Sequence, residues 1–223
     1  LLRKYNPNII INSRLNHHGD YDTPEQGIPV TRPDAKFWEL CYTMNDSWGY
    51  QPFDKKYKSP NMIIRTLVDC ISMGGNLLLD IGPKADGTIP EEQLNILKQL
   101  GRWTNKHAAA IYGTRAGIPF ANYGGKSALS KDGKTLYLYV YEKKPELQLK
   151  GLVNHSAIKS ISVVGDASAK VSVKSENETV RVDLTKVNFD QDVTVIALNF
   201  AEALRWTAPQ ETEVTLKSVL DNK

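Results

Sequence analysis

The chain has 223 residues, a length that suits one large domain or two modest ones. Hydrophobic residues at 41%, charged residues at 24% and 15 glycines are the proportions of an ordinary soluble globular protein, which excludes disorder and collagen-like repeats. A formal net charge of +3 on dispersed lysines is too mild for a nucleic-acid footprint, and no stretch approaches the roughly 20 apolar residues of a membrane span.

In chain order, Asn8 to Asn12 (NIIIN) is a β-branched run that reads as a buried strand, and Phe37 to Met44 reads as a second. Ser59-Pro60 supplies a helix N-cap and a first-turn proline. Ile63, Ile64, Leu67, Val68 and Ile71 follow at helical spacing until Gly74-Gly75 stops them. Asn76 to Ile81 (NLLLDI) is a continuous apolar strand, followed by the turn residues Gly82-Pro83 and Asp86-Gly87. Thr88 and Glu91, with Pro90 between them, form a capping-box pattern ahead of a helix carrying Leu94, Leu97, Leu100 and Trp103.

Beyond Tyr112-Gly113-Thr114 the apolar period changes to two. Leu136, Leu138 and Val140 alternate with Tyr137, Tyr139 and Tyr141 after an Asp132-Gly133 turn. Val171 and Val173 face Val180, Val182 and Leu184 across Glu176-Asn177, and Val193, Val195 and Ala197 follow. Short strands at this spacing predict a small antiparallel β-sandwich over 115–223, after an α/β portion over 1–114. A βα barrel takes about 250 residues, so 1–114 is sized for the C-terminal part of a (β/α)8-type barrel, and an N-terminal portion is expected to be missing from this chain.

The densest polar cluster follows the first predicted strand: Arg14, His17, His18, Asp20, Asp22 and Glu25. In a barrel such a loop leaves the C-terminal end of a strand, where catalytic groups sit, and a carboxylate there serves as general acid or base. A solvated polar loop accounts for the same composition. Adjacent histidines point apart, which argues against a His17/His18 metal pair. Trp38-Glu39 and Trp48-Gly49-Tyr50 flank the second predicted strand and offer either flat apolar faces to a sugar ring or ordinary core aromatics. Cys41 and Cys70 match neither a zinc nor a redox spacing and read as buried thiols. Asn45, Asn154 and Asn177 each open an Asn-x-Ser/Thr triplet, which leaves the compartment open. The glycine-rich stretches lack the Gly-x-x-x-x-Gly-Lys-Ser/Thr frame, and no Gly-x-Ser-x-Gly frame occurs.

Asn-Ser-Arg at 12–14, Gly-Asp-Tyr-x-Thr-Pro-Glu at 19–25, Trp-Glu at 38–39, Ser-Trp-Gly-Tyr at 47–50 and Gly-Gly-Asn-Leu-Leu-Leu at 74–79 resemble the family-29 glycoside hydrolases, the α-L-fucosidases. Ile-Gly-Pro-x-x-Asp-Gly-x-Ile-Pro at 81–90 and Ala-Ile-Tyr-Gly-Thr at 110–114 continue the match. The resemblance implies exo-hydrolysis of terminal α-L-fucosyl residues from glycans by a retaining mechanism, with a β-sandwich after the barrel. It implies Glu25 as acid/base, with Asp20 or Asp22 as lesser candidates, Arg14 as a ligand of the sugar or a guide for the nucleophile, and Trp48 against the edge of fucose that carries its methyl group. The aspartate nucleophile is expected from an upstream barrel segment or a second chain. Asp80 stands where the family often has asparagine. No metal or organic cofactor is implied, and the suggested compartments are periplasmic, secreted or lysosomal. The alternative is a truncated, non-catalytic relative that binds carbohydrate or is structural.

Overall fold

A computed structural model describes residues 1–15 and 18–208 of the chain. After a single helical turn, α1 (Leu2–Tyr5), the first half is built on a parallel pair, β1 (Glu39–Thr43) and β2 (Asn76–Asp80), joined by α2 (Pro60–Ser72). The Ser59 hydroxyl accepts from the Met62 N–H at 3.1 Å and Pro60 occupies the first turn, as their sequence positions predict. Ile63, Ile64, Val68 and Ile71 share the buried face of this helix. Gly75 follows because Trp38 packs there: a Cβ at this position would fall inside the indole ring.

Three local expectations need correction. Asn8 to Asn12 is not a buried strand; Ile10 is 76% exposed, and the run has only a bridge from Asn12 to Tyr21. β-branching supplies strand propensity, but a ladder needs a partner, and the place beside β1 is taken instead by residues 21–26. There Asp22 and Glu25 bridge in parallel to Trp38 and Cys41, with Gln26 N–H on the Cys41 carbonyl at 2.9 Å. The capping box is absent as well, because the Thr88 hydroxyl donates to Asp86 at 2.7 Å and Pro90 takes the N-cap of α3 (Glu91–Lys106). Finally, NLLLDI is not buried throughout: Leu77 and Leu79 pack toward the helices, whereas Leu78, between them, is half exposed.

The second half forms two antiparallel sheets. A five-stranded one has the order β3 (Thr114–Ala116), β4 (Lys126–Ser130), β5 (Thr135–Val140), β10 (Thr194–Phe200), β7 (Ile158–Val163). A three-stranded one has the order β6 (Glu146–Leu149), β9 (Thr179–Asp183), β8 (Ser172–Glu176). Leu136, Leu138 and Val140 of β5 meet Leu147, Leu149, Val180 and Val182 in the core between these sheets. The alternate residues Tyr137 and Tyr139 are buried too, against Ile64 and Val68 of α2 and Trp103 of α3. The large sheet is therefore covered on both faces, which explains why β5 is apolar or aromatic from Leu136 to Val140. Among the described residues no helix is long and apolar enough to cross a membrane.

Candidate functional site

Side chains alternate along a strand, so residues two apart share a face. On β1, Leu40 and Tyr42 point into the helical core and Glu39 and Cys41 point the other way. Leu78 leaves β2 on that same side, and Tyr21, Thr23 and Glu25 leave the neighbouring extended segment. Together with Asn12, Arg14 and Trp48 they line an open cavity of about 500 Å³.

Arg14 stands in a turn whose backbone N–H is held by the Asn12 side chain at 3.2 Å, and its guanidinium pairs with the Glu25 carboxylate across the cavity. The turn is tied to the extended segment by Ser13, whose hydroxyl accepts from the Thr23 N–H at 3.2 Å. Trp48 reaches the cavity from the loop after β1 and is 47% exposed. Burial pushes the Cys41 thiol up from its ordinary value, and the Glu25 carboxylate beside it adds to the rise. Burial also raises the Asp80 carboxyl at the end of β2.

Arg14, Glu25 and Trp48, singled out from the sequence, thus share one cavity. Other candidates lie elsewhere. Asp20 is occupied by the Ile11 N–H at 2.9 Å and by Arg3 at 2.6 Å, which together hold its carboxyl below the usual range. Asp22 is exposed and outside the cavity lining. Trp38 is a core residue, which leaves Trp48 as the tryptophan at this cavity, beside Tyr21. His18 is exposed and His17 lies outside the described residues. Cys70 is buried, its thiol pushed up to about 12 by that burial, whereas Cys41 is only half buried. Among the described residues no group of three or more His, Cys, Asp or Glu side chains could hold a metal ion. Tyr21, Thr23 and Leu78 were not anticipated; the period-two spacing of Tyr21, Thr23 and Glu25 is the signal that marks two of them.

Residues 1–109 match the family model described as alpha-L-fucosidase. Over these residues the chain is similar to the α-L-fucosidase family. The alpha-L-fucosidase of Dictyostelium discoideum is 38% identical over 113 residues, 48% of this chain and 24% of that protein. The tissue alpha-L-fucosidase of Bos taurus is 31% identical over 165 residues, 70% of this chain and 34% of that protein. The chain therefore spans about a quarter to a third of these two curated relatives. Among solved structures, alpha-L-fucosidase isoenzyme 1 from Paenibacillus thiaminolyticus superposes with a TM-score of 0.79 at 29% identity, over 90% of this chain and 52% of that one. The alpha-L-fucosidase from Vibrio sp. strain EJY3 gives 0.80 at 25% identity, over 92% and 38%. The α-L-fucosidase likeness thus extends through the antiparallel sheets.

Proposed function

We propose that this chain carries the proton-transferring side of a retaining α-L-fucosidase site, with Glu25 as general acid and base. Arg14 orients that carboxylate and donates to sugar hydroxyls, and Trp48 offers an apolar face to the edge of fucose that bears its methyl group. The observation that carries the reading is the shared cavity of Arg14, Glu25 and Trp48, in a chain whose relatives are named α-L-fucosidases.

A retaining hydrolase needs two carboxyls roughly 5 to 5.5 Å apart. One attacks the anomeric carbon as the glycosidic bond breaks, while the other gives its proton to the departing oxygen. A water molecule then cleaves the glycosyl ester and returns its proton to the second carboxylate. Glu25 takes that second role, and the attacking aspartate comes from a segment outside these 223 residues. β2 pairs only with β1 among the described residues, which leaves its other edge available to a further parallel strand. On this reading residues 1–114 are the C-terminal portion of a (β/α)8-type barrel, 115–223 the sandwich, and the substrate a terminal α-L-fucosyl residue of a glycan.

The test is hydrolysis of 4-nitrophenyl α-L-fucoside by the 223-residue chain alone and together with the complementary N-terminal barrel segment of the Paenibacillus relative. Turnover with both and not with one is expected, with α-configured fucose as the first product by NMR. Turnover by the chain alone would overturn the division of labour, and L-fucose binding without turnover in both samples would point to a non-catalytic sugar-binding protein.

A further inference from the structure

Glu25 and Trp48 approach the cavity from segments that do not touch in sequence, yet one buried hydroxyl lies between their supports. Gln26, immediately after Glu25, has φ 57, a left-handed backbone that a residue other than glycine adopts at a cost. Its amide is held by Thr43 at the end of β1: Gln26 Nε2 donates to Thr43 Oγ1 at 2.9 Å, and the Thr43 N–H reaches Gln26 Oε1 at 3.4 Å. On the other side, the loop of residues 45–58 that carries Trp48 is closed at its base by Lys58. The ammonium donates to the Thr43 carbonyl at 2.8 Å, to Thr43 Oγ1 at 3.0 Å and to the Asn45 carbonyl at 2.8 Å. Farther along the loop, the Ser47 hydroxyl donates to Asp54 at 2.7 Å.

A threonine hydroxyl has two lone pairs and one proton. At Thr43 the lone pairs accept from Gln26 Nε2 and Lys58 Nζ, and the proton is shared between the Asn45 carbonyl and Gln26 Oε1, the latter at 3.2 Å, so its capacity is filled by these two segments. Thr43 is buried, where an unmade hydrogen bond costs most. Neither Thr43 nor Lys58 lines the cavity.

We infer that Thr43 is a positioning residue that fixes the Glu25 segment and the Trp48 loop relative to each other, so that the sugar site is built as one unit. The inference rests on the sugar-binding reading of the cavity, but its first readout does not. In the 223-residue chain, Trp48 emission is isolated by subtracting the spectrum of Trp48→Phe in each background. Thr43→Val keeps the branched shape and removes the hydroxyl. It should shift Trp48 emission to the red, raise its quenching by acrylamide, and weaken L-fucose binding by about tenfold, the value of one lost hydrogen bond.

Thr43→Ser should restore both. Gln26→Asn, which tolerates the left-handed backbone but is too short to reach Thr43, should move Trp48 emission in the same direction from the other side of the hydroxyl. Unchanged emission and quenching in Thr43→Val, or a Thr43→Val shift that Gln26→Asn fails to reproduce, would overturn the coupling. If Thr43→Val does not melt cooperatively, Lys58→Met is read by the same criteria. A wild-type chain that binds no L-fucose would sink the sugar site, while the Trp48 signal would still decide the coupling.

Discussion

Arg102 meets Asp190 with both arms of its guanidinium, each nitrogen 2.9 Å from a different carboxylate oxygen, and so clamps α3 to the strand-leading loop of the large sheet. Arg102 also reaches Asp192 at 2.5 Å, Lys106 reaches Asp190 at 2.8 Å, and the Trp103 indole N–H donates to the Val193 carbonyl at 2.8 Å. Burial opposes ionisation of Asp190, yet Arg102 and Lys106 overcome it and hold the carboxyl well below the usual range. Asp190→Ala leaves two cations without their shared acceptor and should cost about 2 kcal/mol, discounted from the figure for a fully buried pair because Arg102 is partly exposed. Urea denaturation checks it; a loss below 0.5 kcal/mol, roughly the scatter of surface substitutions, would contradict the clamp.

His107, at the end of the same helix, predicts a specific acid sensitivity. Burial drives its pKa down to about 4, against 6.5 in an unfolded chain, although its Nδ1 bonds the Trp103 carbonyl at 2.9 Å. A folded-state value below the unfolded one means that the unfolded chain takes up the proton first. The stabilisation is complete above pH 6.5 and is lost as the pH falls toward 4, by about 3 kcal/mol in all. His107→Phe removes this contribution, so its stability should fall less steeply than wild type between pH 6.5 and 4. Parallel curves from chemical denaturation across that window would count against it.

Legibility in the sequence divides along contact range. α2 was readable because its cap, proline and apolar stripe all lie within residues 59–71, and β5 and β10 because alternation is local. What needed long-range pairing was hidden. Residues 21–26 are strand-like only through β1, and Tyr137 and Tyr139 are buried only because α2 and α3, distant in sequence, cover them. The same holds at the cavity. Arg14, Glu25 and Trp48 stood out as residue types in distinctive neighbourhoods, whereas Leu78 looked like core until the alternation of β2 turned it outward.

Two tryptophans should separate binding from stability. Trp48 is half exposed at the cavity, and Trp206 packs against the sandwich core and bridges to Leu152. Trp48→Ala should leave the melting transition nearly unchanged and weaken L-fucose binding by about 1 to 3 kcal/mol, the worth of a lost apolar face. Trp206→Ala should do the reverse, with a lower melting temperature and unaltered affinity. Equal affinities in the two variants would remove Trp48 from the site.

The cavity holds two carboxylates, Glu25 and Glu39, and leaving-group dependence assigns the proton donor between them. An alkoxide leaving group needs a proton to depart and an activated phenolate hardly does. On the proposed reading, when the chain is combined with a nucleophile-bearing barrel segment, Glu25→Ala should therefore slow a fucosylated oligosaccharide far more than a dinitrophenyl fucoside. The same change removes the base that activates water in the second step, so the glycosyl-enzyme should accumulate. Azide, which attacks without giving up a proton, should restore turnover and yield fucosyl azide. Glu39→Gln keeps the shape and hydrogen bonding of its residue; on the Glu25 assignment it should slow both substrates to a similar degree and gain nothing from azide. The opposite pattern, with the leaving-group effect and azide rescue in a Glu39→Ala variant and neither in Glu25→Ala, would transfer the role to Glu39. Arg14 would then be holding Glu25 as part of the sugar-binding wall, and Arg14→Lys, which loses the planar fork, should raise KM while leaving the leaving-group dependence intact.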